Sequence, residues 1–222
     1  MSYLYEMHFH TSQVSGCGRV KAEDGVELLK NEGYSGVVVT DHLVPTGFSN
    51  QPITNWKEYV DRYLEGYKWA KTLESDSFHV LLGAEICFPE NENDYLLFGI
   101  TEDFLYTHPY INRLTLSEFS AIAKRNGVLI VQAHPMRNDM TIMNPNDLDG
   151  YEVYNGNKRH NSRNNLADQM AEMNGKIKTS GSDFHQLEDL ARGGIYFNTQ
   201  ITSEQQLVLA LQEQAYTLRT IE

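Results

Sequence analysis

Asn31-Glu32-Gly33-Tyr34-Ser35-Gly36-Val37-Val38-Val39-Thr40-Asp41-His42 carries the pattern that decides the fold. A helix-like segment stops at Gly33, where a residue without a Cβ takes the positive φ that ends a helix. A β-branched apolar run follows, and it ends in side chains that bind metals and move protons. The same order recurs twice. Arg125-Asn126-Gly127 precedes Val128-Leu129-Ile130-Val131, which runs into Gln132-Ala133-His134-Pro135. Met173-Asn174-Gly175 precedes Ile177, whose strand runs into Gly181-Ser182-Asp183-Phe184-His185. Strands alternating with helices imply βαβ units and parallel pairing, and the valine-rich runs suggest burial on both faces.

Two further stretches end the same way, in Met7-His8-Phe9-His10 and Gly83-Ala84-Glu85. An open sheet builds its site at one switch point served by two or three strands. Here at least five strands deliver ligand-type residues at their carboxyl ends, and a closed α/β barrel brings all those ends to one rim. The capping spacings Asn55/Glu58 and Thr115/Glu118 mark helix starts. Helices are expected over 22–31, 56–73, 115–126, 161–174 and 203–213, and strands over 3–9, 36–40, 79–86, 95–100, 128–133, 151–154, 177–180 and 195–198. Pro45 to Pro52 and Pro89 to Asp94 read as loops, the second as a polar loop on the rim.

With 222 residues the chain suits one domain, residues 1–222, and can bury a substantial core. The first ten residues mix in polar and charged side chains, and no apolar run approaches a bilayer-spanning length, so a cytoplasmic protein without a membrane partner is expected. Cys17 and Cys87 are expected as reduced thiols. The formal net charge of −12 argues against long nucleic acid, whose binding rests on Lys and Arg.

Ligand geometry can be read locally. His8 and His10 lie two apart on a strand, so both imidazoles share a face, and Asp183 and His185 repeat that spacing. An isolated His-x-His is more often a pair of surface histidines, but four companion clusters reverse that prior. Glu85 follows Val80-Leu81-Leu82 into the interior, where a carboxylate is costly unless a cation neutralises it. The set points to a metalloenzyme.

In the order His-x-His-Thr, Thr-Asp-His, Gly-x-Glu, Ala-His-Pro and Ser-Asp-x-His, the chain resembles the PHP family, the polymerase and histidinol phosphatase domain. The resemblance runs through almost the whole chain. It implies a distorted (β/α)7 TIM-like barrel with divalent metals at the C-terminal ends of the strands, two or three ions drawn from zinc, manganese and iron. It also implies that His8, His10, Glu85 and Asp183 hold one ion, that Glu85 bridges to a second held with His134, and that His42 and His185 serve a third.

Two positions depart from the family's commonest pattern. Where a further Asp or His usually follows His-x-His-Thr, only Cys17 is available. Where a His usually follows Gly-x-Glu, Asp94 is the nearest substitute. A thiolate favours zinc or iron and a carboxylate favours harder ions such as manganese, although a buried structural thiol explains Cys17 equally well. Asp41 is a candidate proton donor or partner of an imidazole, with an ordinary buried Asp as the plain alternative. Arg137, Asn155, Arg159 and His160 follow strands that reach the rim and are candidates for substrate binding.

The expected chemistry is hydrolysis of a small phosphate ester, as in a phosphatase of the histidinol-phosphatase type, by a water shared between two cations, with Glu85, Asp41 and His185 as catalytic residues. The competing readings are a nucleotide or oligonucleotide phosphodiesterase or nuclease, an amidohydrolase-type hydrolase, and a metal-holding module without catalysis.

Overall fold

A computed structural model describes residues 2–44 and 53–221; the expected loop Pro45 to Pro52 lies outside them. The elements in chain order are β1 (Tyr3–Phe9), α1 (Ala22–Asn31), β2 (Gly36–Val39), β3 (His42–Leu43), α2 (Trp56–Lys71), β4 (His79–Cys87), β5 (Asp94–Phe98), α3 (Glu102–Thr107), α4 (Leu116–Asn126), β6 (Leu129–Gln132), β7 (Gly150–Asn155), α5 (Asn164–Met173), β8 (Ile177–Gly181), β9 (Ile195–Phe197), α6 (Glu204–Glu213) and β10 (Tyr216–Leu218). Among the described residues no helix is long and apolar enough to cross a membrane.

The glycine stops behave as expected, with φ of 80° at Gly33, 69° at Gly127 and 61° at Gly175. Thr115 and Glu118 form a reciprocal capping box at α4. At α2 only half of one forms: Asn55 accepts from the N–H of Lys57 and Glu58, but the Glu58 carboxylate takes the Asn55 side-chain amide instead of its backbone N–H.

The sheet runs β10-β9-β1-β2-β4-β5-β6-β7-β8, with β3 continuing alongside β4. β1, β2, β4, β6, β7 and β8 are parallel along the path except where β5 intervenes, antiparallel to both β4 and β6. The expected parallel pairing holds for those strands, while β5 and, at the other end of the path, β9 and β10 pair antiparallel. The link from Phe88 to Asn93 is too short for a crossover, which needs a dozen residues or more, so β5 can only turn back. Past the end of β8 the circle nearly closes on β1: His10 N–H donates to Phe184 C=O at 3.1 Å and Phe184 N–H to His8 C=O at 2.9 Å.

Strand alternation sorts side chains into two clusters. Val37, Val39, Val80 and Leu82 pack outward against Val26 and Leu29 of α1 and Val60 and Leu64 of α2. Tyr5, Met7, Val38, Leu81, Leu96 and Val131 face one another inside, and Leu207, Val208 and Leu211 of α6 close that core where β6 begins, beside Leu129. The carboxyl-end half of the barrel is filled instead by ionisable side chains.

A β-bulge aims those on β1. The β1–β2 register shifts between Glu6 and Phe9. Buried Glu6 caps the irregularity, its Oε1 accepting from the N–H groups of Met7 and His8 at 3.0 Å and of Ser182 at 2.8 Å across the seam. Bulges of this kind re-aim side chains near functional sites.

Candidate metal centre

Glu85, at the end of β4 and 1% exposed, is the hub. Its Oε1 lies 3.2 Å from His8 Nε2 and 3.2 Å from His134 Nε2; its Oε2 lies 3.2 Å from His10 Nε2 and 3.3 Å from His42 Nδ1. Asp183 Oδ1 stands 3.5 Å from His8 Nε2 and 3.6 Å from His10 Nε2. His185 Nδ1 lies 2.9 Å from the Asp183 C=O. Asp94 Oδ2 is 3.7 Å from His134 Nε2. The donor atoms of His10, Cys17, His42 and His185 all lie within 4.8 Å of one another, as do those of His8, His10 and Glu85, and those of Glu85, Asp94 and His134. The nine residues singled out as ligands are thus one constellation.

Hydrogen bonds aim the imidazoles. His8 Nδ1 sits 2.9 Å from Glu152 Oε1, which makes Nδ1 the donor and turns the Nε2 lone pair toward Glu85. For His10 the chain is longer. Ser15 Oγ donates to Asp41 Oδ1 at 2.6 Å and so accepts from His10 Nδ1 at 3.2 Å, which again leaves Nε2 as the lone pair. Asp41 also takes the Thr11 N–H and hydroxyl, both at 2.7 Å. Both its oxygens are occupied there, and it does not line the cavity; as a bonding partner it braces the loop after β1. Gly66 of α2 makes the brace possible, because a Cβ there would collide with Thr11 Oγ1 and Asp41 Oδ2.

Two residues of the site hold backbone conformations unusual for a side chain: His134 at φ 30° and Asp183 at φ 52°. Such strain of order 1–3 kcal/mol persists only where surrounding bonds over-determine it. His134 N–H is held by Glu152 Oε2 at 3.0 Å. Asp183 is held by Arg137 Nη2 at 2.6 Å and by the amides of Asn155 and Asn157.

Protons alone cannot satisfy this cluster. Burial, then its neighbours His42 and His185, pushes His10 down to about 3. Burial lowers His42 and His185 too, but Glu85 draws His42 up to about 9 and Asp183 draws His185 up to about 10. Burial raises Glu85, yet His8 and His42 hold its carboxyl well below the usual range. With their rings 4.1 to 5.0 Å from that of His10, the imidazoles of His8, His42 and His185 cannot all be cationic together with it. Buried lone pairs facing a carboxylate suit divalent cations, so the donor set fits the metals that the resemblance implies.

The cavity above the cluster measures about 180 Å³ and is lined by Cys17, His42, Glu85, Asp94, His134, Arg137, Asn157, Arg159, His160, Asp183 and His185. Cys17 is solvent-exposed at this mouth, not a buried structural thiol. Of the four substrate-binding candidates, Arg137, Arg159 and His160 reach the cavity. Asn155 does not line this cavity: it is buried beneath, bonded to Glu152 and Arg137, and lines the adjoining cavity instead, while Asn157 lines the wall here. Arg159 is fixed by Asp189, 2.8 Å from Nη2, and Asp189 also accepts from His185 N–H at 3.2 Å. The loop from Pro89 to Asp94 is less of a free rim than its polarity suggests, because Asn93 is fully buried and bonded to Thr141 and Tyr95. Glu152, Glu6 and Ser15 are partners that sequence reasoning missed. The available signal was the one used for Glu85, a carboxylate inside a buried strand.

A family model described as PHP-associated matches residues 161–216, the segment that supplies Asp183 and His185. The fold is similar to that of a two-domain protein from Bacteroides vulgatus containing a predicted PHP-like metal-dependent phosphoesterase, at 16% identity and a TM-score of 0.70 over 99% of this chain and 65% of that one. PsfC from Pseudomonas syringae is similar over 99% of this chain and 92% of its own, at 15% identity and a TM-score of 0.69. A lesion-specific endonuclease from Pyrococcus furiosus is similar over 98% of this chain and 58% of its own, at 15% identity and a TM-score of 0.68. The chain therefore spans less than two thirds of two of these relatives. No curated protein matches it by sequence. The fold is similar to that of proteins described as PHP-like metal-dependent phosphoesterases, in keeping with the family resemblance read from the motifs.

Proposed function

We propose that this chain is a metal-dependent hydrolase of phosphate esters whose substrate is a small phosphorylated metabolite. One observation carries the reading: nine ligand-type residues from separate strand ends converge on Glu85 under a polar cavity. Bound divalent ions supply a water acidic enough to attack near neutral pH and neutralise charge developing on the phosphate oxygens. The chain's own residues do the remainder. Glu85 would help hold the ions through both of its oxygens, Glu152 and the Asp41–Ser15 pair set the tautomers of His8 and His10, and Arg137 holds Asp183 in its strained conformation. Arg159 and His160, with Asn157, are placed to orient the substrate at the mouth.

A cavity of about 180 Å³ suits a phosphoryl group with a short stem and is smaller than typical sites for larger ligands. A second cavity of about 330 Å³ shares Asn157 and His160 with it and continues along Lys158, Arg163, Arg192 and several asparagines. That polar, cationic continuation favours a polar organic group on the substrate. It also supports a second reading, a phosphodiesterase or nuclease, since net acidity of the whole chain does not exclude nucleic acid when the rim beside the site is basic and a similar fold belongs to a lesion-specific endonuclease. Rates on an aryl phosphate, an aryl phosphodiester, an abasic duplex and a dihydropyrimidine-type amide separate the readings. The proposal expects the monoester to be hydrolysed fastest; turnover of the amide alone would overturn it.

A further inference from the structure

The geometry points to a centre divided by donor softness: Cys17, with His42 and His185, makes a thiophilic site for zinc or ferrous iron, whereas Asp94, with His134 and Glu85, makes a harder one. The inference rests on the metal-dependent reading above and adds which ion each half prefers.

The two halves differ in donor chemistry. On the soft side one sulfur and the imidazoles of His42 and His185 lie within 4.8 Å of one another, the compactness that an ion with bonds of about 2.0–2.3 Å and a position left open requires of three protein ligands. The His185 Nδ1 contact with the Asp183 C=O must be a donated N–H, which frees Nε2 as a lone pair. Thiolate with imidazole selects zinc, iron or copper over magnesium and manganese. On the hard side two of the three donors are carboxylates.

The second cysteine sharpens the contrast. Cys87 Sγ donates to Asp94 Oδ1 at 2.6 Å, while Oδ2 of the same carboxylate faces His134. Although its sulfur also lies within 4.8 Å of donor atoms of His42 and Asp94, a donating thiol carries its proton, so Cys87 is assigned here to orienting a hard ligand. The chain's two cysteines, both free, therefore act oppositely on two ions of one cluster.

Cobalt(II) reports a bound thiolate through a near-ultraviolet sulfur-to-metal charge-transfer band, read on the full chain without any substrate. The parent protein loaded with cobalt is expected to show the band, Cys17→Ser to lose it, and Cys87→Ser to keep it. Zinc affinity of Cys17→Ser should fall about 100-fold or more, since even partners outside the coordination shell cost 10–100-fold, with manganese uptake at the Asp94 side retained. Cys17 is exposed, so its replacement leaves the core intact, and circular dichroism checks folding of both variants. Cobalt bound without the band, or a band surviving in Cys17→Ser, would overturn the division while leaving the metalloenzyme reading in place. Failure to bind any of the three metals would overturn both.

Discussion

Leu81 and Glu85 stand four residues apart on β4, both buried, and belong to opposite ends of one barrel. Leu81 shares a dry core with Tyr5, Met7, Val38, Leu96 and Val131, closed by α6. Glu85 sits among four imidazoles, whose attraction for a carboxylate has to offset the cost of burying it. The same strands thus hold the fold together at their beginnings and gather reactive groups at their ends, so substitutions at the two levels should fail in different ways.

Glu85→Gln should have the largest effect. Losing the shared carboxylate should lower kcat more than about 100-fold together with metal content, with cooperative unfolding retained. Steady-state kinetics beside elemental analysis checks this, and an active variant without metals would break the comparison from the reactive side. Leu81→Ala should do the reverse. A cavity in the dry core should cost about 2–5 kcal/mol of stability by denaturant unfolding, while kcat of the folded fraction and metal content stay at parent levels. Loss of metal in folded Leu81→Ala would show that the two levels are not separable.

Arg159→Ala sharpens the comparison at the mouth. Removing a charged hydrogen bond made equally to substrate and transition state should raise KM about tenfold with kcat and metals unchanged. A matched fall in kcat would place Arg159 in the chemistry itself.

Glu6 marks the boundary between the levels, and its effect appears only as a change with pH. Burial pushes its carboxyl up to about 7 against the hydrogen bonds from Ser182 and His8, from an ordinary value of 4.5. Between those two values the folded state keeps a proton that the unfolded chain releases, so stability falls as pH rises through that window, by at most roughly 3 kcal/mol. Glu6→Gln keeps an oxygen for the N–H groups of Met7, His8 and Ser182 and cannot titrate. Its stability relative to the parent should therefore improve from pH 5 to pH 7.5; parallel curves would show that the proton is not held there.

Much of this was legible because its signals are local. Glycine after a helix, an apolar run and a ligand-type residue at its end follow from nearest-neighbour chemistry, and they placed β2, β6, β8 and the candidate ligands His42, His134, Asp183 and His185. What escaped depends on distant partners. Glu152 fixes His8 from 144 residues away, Ser15 transmits Asp41 to His10 through a loop fold, and a bulge at β1 leaves no residue signature. Asn155 ends β7 and Asn157 lies two residues beyond it, where strand periodicity no longer says which of them reaches the cavity. β5 turned back because the preceding link is short, a length that could have been counted.

The central claim, that converging strand ends build a working metal centre, is tested most directly by metal stoichiometry and turnover on one preparation. Purified without oxygen, the protein should carry about two or three divalent ions per chain. It should hydrolyse p-nitrophenyl phosphate, lose the activity on chelation and regain it in step with added zinc, manganese or iron. A chain that holds no ion after anaerobic purification, and gains no activity with any of the three, would contradict the account.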